Sequence, residues 1–157
     1  MNEKGLNGKG QIITVCDTYV DFNHAMFYDP NSTFDVNIPL NHRKFVYYSF
    51  NGTVEELEQK ISKDEHGTHV AGTIEGESIC SSNRGDKFEN FNLFDGNAPK
   101  SKLIYFKLNS FTIEKEIQIM NKFGSHISSN SWDYMTFDDE GNFEYGMTAY
   151  ENPDKIF

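Results

Sequence analysis

The chain has 157 residues, a formal net charge of −10, and 37% hydrophobic and 15% aromatic residues. That length suits one ordinary domain or a piece of a larger one. The excess of carboxylates argues against nucleic acid, which needs a basic stripe for its phosphates, and against an anionic membrane surface.

The hydrophobic share is lean, although aromatics offset part of it because each buries a large area. A globular chain that lacks some of its core partners is expected. Cys16 and Cys80 are too few for a disulfide framework, and Cys16, within an apolar run, reads as a small buried hydrophobe. No run approaches the roughly 18 apolar residues of a membrane helix. Met1-Asn2-Glu3-Lys4-Gly5 is followed by no apolar signal region.

Gly5, Gly8 and Gly10 form a turn-rich lead-in. Gln11 to Cys16 is a β-branched run that predicts a buried strand ending at Asp17-Thr18-Tyr19. Residues 21 to 43, with Pro30, Pro39 and many Asn and Asp, predict a long loop. Lys44 to Phe50 predicts a second strand, and Val54, Leu57 and Ile61 give residues 53 to 62 a weak helical spacing. A helix over His66 to Glu75 follows Asp64, a cap or near-cap. Gly67 and Ala71 lie one turn apart there, as do Thr68 and Gly72, so a small-residue face can approach a sheet closely. Each glycine costs such a helix about 1 kcal/mol against Ala, which points to a packing or site requirement.

Residues 76 to 97 read as another loop, and Lys102 to Leu108 as a strong strand. Thr112 to Phe123 predicts an amphipathic helix with Ile113, Ile117, Met120 and Phe123 on its apolar face. His126 to Asn130 predicts a third buried strand of this kind, and the tail from Asp138 is acidic and irregular. Strand, helix, strand alternation argues for an α/β fold with parallel strands and right-handed crossovers.

Open α/β sheets build sites at the carboxyl ends of their strands. Asp17 stands where the first strand ends, and His66 where a helix begins. A general base needs an imidazole, and a neighbouring carboxylate fixes its tautomer and stabilises its charged form. Spacing alone does not select this pair, because His/Asp combinations are common and 49 positions separate the two.

The local sequence does select it. Asp64-Glu65-His66-Gly67-Thr68-His69-Val70-Ala71-Gly72-Thr73-Ile74 resembles the histidine motif of the subtilisin-like serine proteases. Ile13-Thr14-Val15-Cys16-Asp17-Thr18-Tyr19-Val20-Asp21 resembles their aspartate motif, Ala98-Pro99 their turn into the next strand, and Ile127 to Trp132 their substrate-holding strand end. Four elements in the right order identify residues 1–157 as a partial subtilase (peptidase S8-like) catalytic domain. The resemblance implies a three-layer subtilisin-like α/β fold, its mainly parallel sheet flanked by helices and incomplete on the C-terminal side. It implies serine endopeptidase chemistry with His66 as general base and Asp17 as its orienting group. It makes His69 a packed structural residue. It also places Ser131, Trp132 and Asp133 in the substrate groove, where an extended peptide or protein substrate pairs with an edge strand.

The pattern breaks at the nucleophile. Family order is Asp, His, Ser, as in subtilisin, yet no Gly-Thr-Ser segment occurs here, nor the Ala-Gly-Asn that carries the oxyanion asparagine. Asn130 lies in the wrong motif to replace it. The expectation is a fragment of a larger protease, with a catalytically inactive pseudoprotease or peptide-binding remnant as the alternative. Tyr19 stands where the family has Gly, and Asp133 replaces the Gly expected after Ser131-Trp132.

His66 and His69 with Asp64, joined by Asp17 or His42, also compose a weak zinc pattern, but His-Glu-x-x-His is missing. No cofactor is required by the expected chemistry. The family often binds calcium, and the Asp/Asn-rich loops at 29–41 and 83–97 suit it, but no ligand motif is traceable. Neither nucleic acid nor membrane is expected as a partner. The family is often secreted; this sequence does not specify a compartment.

Overall fold

The computed structural model describes residues 6–32, 42–50, 52–78, 94–108 and 112–132, with the backbone of 136–137 and 143–144. Four strands form one parallel sheet: β1 (Ile12–Asp17), β2 (Phe45–Ser49), β3 (Lys102–Lys107) and β4 (Ile127–Asn130), in the order β2-β3-β1-β4. Three helices connect them: α1 (Val54–Ile61), α2 (His66–Glu75) and α3 (Ile113–Phe123). The short strands β5 (Thr136–Phe137) and β6 (Phe143–Glu144) pair antiparallel. Among the described residues, no helix is long and apolar enough to cross a membrane.

β1 lies inside the sheet and explains its own sequence. Strand side chains alternate between faces, and here both faces are covered, so Ile13, Val15 and Cys16 are buried whichever way they point. Val15 joins one core with Val20, Phe45, Leu57, Ala71, Leu103 and Tyr105. Cys16 joins a second with Ile104, Phe106 and Ile119. The first core carries α1 and α2, the second α3, so helices cover both faces in three layers. Cys16 is fully buried and unpaired, and burial pushes its thiol up to about 12. That keeps it an inert hydrophobe. Cys80 lies outside the described residues.

Local chemistry sets the helix ends. Thr53 and Glu56 form a capping box on α1, with Thr53 Oγ1 accepting from Glu56 N–H at 3.2 Å and Glu56 Oε2 from Thr53 N–H at 2.9 Å. Thr112 caps α3, which ends at Gly124 in the left-handed conformation, φ 75°.

Two expectations change. The buried residue of α3 is Ile119, while Ile113 and Ile117 are each 52% exposed. The helix carries two apolar stripes, and the sheet meets only the one containing Ile119 and Phe123. β4 is not a buried strand either: Ile127 is 56% exposed, because among the described residues β4 pairs on one side only and stands at the sheet edge. Most of the acidic tail lies outside the described residues, although β6 falls within it.

Candidate active site

Parallel register brings Asp17, Lys107 and Asn130 to one edge of the sheet. Asp17 closes β1 and is 1% exposed. Its backbone is held by the ladder, its carbonyl accepting from Leu108 N–H at 2.7 Å. The carboxylate therefore sits on a rigid strand end, facing the layer that holds α2.

α2 begins with His66, and His66 Nδ1 lies 2.7 Å from Asp17 Oδ1. An ionised carboxylate only accepts, so the imidazole donates Nδ1–H and keeps Nε2 as an acceptor. The two partners live in unlike surroundings: the His66 side chain is 55% exposed, and Asp17 is buried. Asp17 Oδ1 also accepts from Thr18 N–H at 2.7 Å, and Oδ2 is buried with no partner among the described residues.

Gly67 explains why α2 can approach so closely. A Cβ there would stand 2.0 Å from the Tyr105 hydroxyl and 2.5 Å from the Tyr19 carbonyl oxygen. No real side chain fits such contacts, so glycine is required by packing. Gly72 differs, since nothing lies within 4 Å of its added Cβ. It borders an open cavity of about 710 Å³ that Asp21, His24, His69 and Asp95 help to line. His69 is therefore exposed rather than packed, because its helical position points away from the Gly67–Ala71–Glu75 face that meets the sheet. Tyr19, in place of the family's glycine, packs edge-on to Phe50 at 6.2 Å under the Lys107 ammonium.

The far end of α2 carries a cluster that sequence reasoning missed. Gly96, Asn97 and Ala98 N–H groups donate to the carbonyls of Gly76, Thr73 and Ile74 at 2.8, 2.9 and 2.7 Å. The Ala98-Pro99 turn is thus a C-terminal clamp on the helix that begins with His66. Lys44, 1% exposed, donates to the Pro99 carbonyl and lies 3.5 Å from Glu77 Oε2. Glu75 is fully buried and accepts from Ser101 Oγ at 3.2 Å. Burial pushes the Glu75 carboxyl up to about 8 against the pull of Lys44. Nothing in the hydrophobic pattern marks a buried lysine in KFVYYSF or a buried glutamate ending HGTHVAGTIE.

Ser131 and Trp132 follow β4 at the same sheet edge as Asp17, and both are exposed. Asp133 lies outside the described residues. Asn130 Nδ2 donates to Ser128 Oγ at 3.3 Å. His42 is buried, with its Nδ1 accepting from Lys44 and Phe45 N–H at 3.1 Å each, and burial holds its imidazole down to about 4. No three His, Cys, Asp or Glu side chains among the described residues are grouped to hold a metal ion.

Comparison with known proteins gives the family. Residues 8–152 match the family described as the subtilase family. The chain is 31% identical over 170 residues to the serine protease/ABC transporter B family protein tagD of Dictyostelium discoideum, covering 96% of this chain and 9% of that protein. It is 35% identical over 104 residues to tagA of the same organism, covering 66% of this chain and 5% of that protein. tagB is 34% identical over 110 residues, again 5% of its length. The chain thus spans under a tenth of these relatives.

Proposed function

The chain belongs to the subtilase family of serine proteases, and from that premise we propose that it supplies the general base and its orienting carboxylate for peptide-bond hydrolysis. His66 is the base and Asp17 the orienter. The observation that carries this reading is the 2.7 Å bond between His66 Nδ1 and the buried Asp17 Oδ1.

The chemistry follows from that geometry. With Nδ1–H committed to Asp17, Nε2 is left to take the proton of a serine hydroxyl as its oxygen attacks the scissile carbonyl. The imidazolium that forms is stabilised by the adjacent carboxylate. It then returns the proton to the leaving amine. Asp17 does not itself become protonated, and burial strengthens its hold by keeping competing water away.

No subtilase serine motif and no oxyanion-asparagine motif occurs in residues 1–157. The proposal therefore assigns the nucleophile and oxyanion donor to sequence outside this stretch. That sequence packs against the β4 edge and the exposed Ile113, Ile117 and Ile127. An extended peptide is the substrate, paired along the strand end at Ser131 and Trp132. The reaction needs no cofactor.

A peptide-hydrolysis assay on a product that carries both this chain and a nucleophile tests the assignment. His66→Ala is expected to lower kcat by roughly a million-fold, the loss found in subtilisin, a member of this same family. Asp17→Asn should cost about 10⁴-fold with geometry intact, as in the chymotrypsin triad. Hydrolysis that survives His66→Ala contradicts the assignment. A full-length product that binds peptides without cleaving them supports the inactive, peptide-binding alternative instead.

A further inference from the structure

One carboxylate beside the catalytic pair has no part in the proton transfers above. Asp64 stands two residues before His66, in front of a helix whose own N-cap residue, Glu65, makes no side-chain capping bond. The first N–H groups of a helix have no partner within it. Here they find partners from outside. Asp64 Oδ1 accepts from His66 N–H at 3.2 Å, and Thr18 Oγ1 accepts from Gly67 N–H at 3.1 Å. Thr18 Oγ1–H donates in turn to the same Asp64 Oδ1 at 3.0 Å. Thr18 N–H donates to Asp17 Oδ1, the oxygen that also holds His66.

These four bonds join the end of β1 to the first turn of α2. Below that turn the Tyr105 hydroxyl and the Tyr19 carbonyl fill the space beside Gly67 and act as a floor. Above it Thr18 and Asp64 prevent the turn from lifting. A second tie, from Asp21 N–H to Thr68 Oγ1 at 2.8 Å, lies one helix residue further on. The imidazole is exposed, so its position is set by the helix backbone beneath it rather than by side chains packed around it.

We propose that Asp64 is a positioning residue, which with Thr18 fastens the first turn of α2 to the end of β1 and so keeps His66 on Asp17. The inference rests on the Asp17–His66 reading above. It assigns Asp64 no contact with substrate. The oxygen's role is to accept from two donors at once, a task an amide oxygen also performs.

The test is proton NMR of the chain itself. A charge-assisted Nδ1–H···O bond gives a far-downfield resonance that an imidazole in water lacks. The wild type is expected to show it. Asp64→Ala should lose it while the rest of the spectrum stays dispersed, and Asp64→Asn should restore it. Thr18→Val should also lose it, and the Gly67 amide should exchange about tenfold faster, as expected when one hydrogen bond is removed. Thr18→Ser should keep both signals. Should Asp64→Ala fail to fold, the Thr18 pair carries the same test. Retention of the resonance in Asp64→Ala or in Thr18→Val overturns the inference, as does its loss in folded Asp64→Asn. Absence of the resonance from the wild type overturns the Asp17–His66 reading itself.

Discussion

The two faces of the sheet are finished to different degrees. On the face that carries α2, fully buried Val15, Phe45, Leu57, Leu103 and Tyr105 interlock, and the helix is fixed at both ends. On the face that carries α3, Cys16, Ile104, Phe106 and Ile119 form a smaller core, while Ile113 and Ile117 of the helix remain exposed. The Asp17–His66 pair lies on the finished face. The proposed base and its orienter can thus be held in geometry by this chain's own packing, while the open face offers a surface for the sequence proposed to carry the nucleophile.

The largest effect should come from the finished face. Phe45→Ala removes a fully buried ring that contacts Phe27 and Tyr48. Chemical denaturation should register a loss of about 3–5 kcal/mol. A cost near that of a surface change would mean the two faces do not differ as described.

Next comes the buried carboxyl at the end of α2. Glu75 is raised to about 8 in the fold from an ordinary 4.5, chiefly by burial. The folded state therefore holds a proton that the unfolded state releases between those values. Its contribution is fully present below pH 4.5 and is lost as pH rises through about 8. Glu75→Gln keeps the neutral form at every pH, so its stability relative to wild type should climb across that window in denaturation series. A difference that stays flat with pH would remove Glu75 from the account.

A tie within the α3 side should be weaker. Thr14 Oγ1 and Ser125 Oγ, both buried, lie 2.8 Å apart and tie β1 to the end of α3. Ser125→Ala leaves the Thr14 hydroxyl without that partner, for about 1–2 kcal/mol by the same measurement. Smallest of all is Ile117→Ser on the exposed stripe, expected within about 0.5 kcal/mol for this chain. A large loss there would show that the stripe is already covered.

Much of the finished face was legible in the sequence. A β-branched run marked β1, the run from Lys102 to Leu108 marked β3, the His66–Glu75 segment is a helix over those same residues, and glycine at 67 signalled close approach. Strand ends moved by a residue or so, because pairing partners rather than propensity decide where a ladder stops. The open face misled. A periodicity argument sees apolar Ile113 and Ile117 and infers burial, but cannot see which of two apolar stripes a sheet will meet. Reasoning from local pattern fails likewise for β4, which reads as a buried strand while its position is an edge. The Asp17–His66 contact spans 49 positions and became visible only through its motifs. Lys44 and Glu75 were not legible at all, since charged residues are rarely buried and only the fold reveals that Pro99 and Ser101 receive them.

The proposed division of labour between this chain and a nucleophile outside it is tested most directly by a fluorophosphonate probe for activated serines. The 157-residue chain alone should remain unlabelled. A full-length gene product should be labelled at a serine outside these residues, and His66→Ala should abolish that labelling. Labelling of a residue within 1–157, or labelling of the full-length product that persists after His66→Ala, would contradict the account.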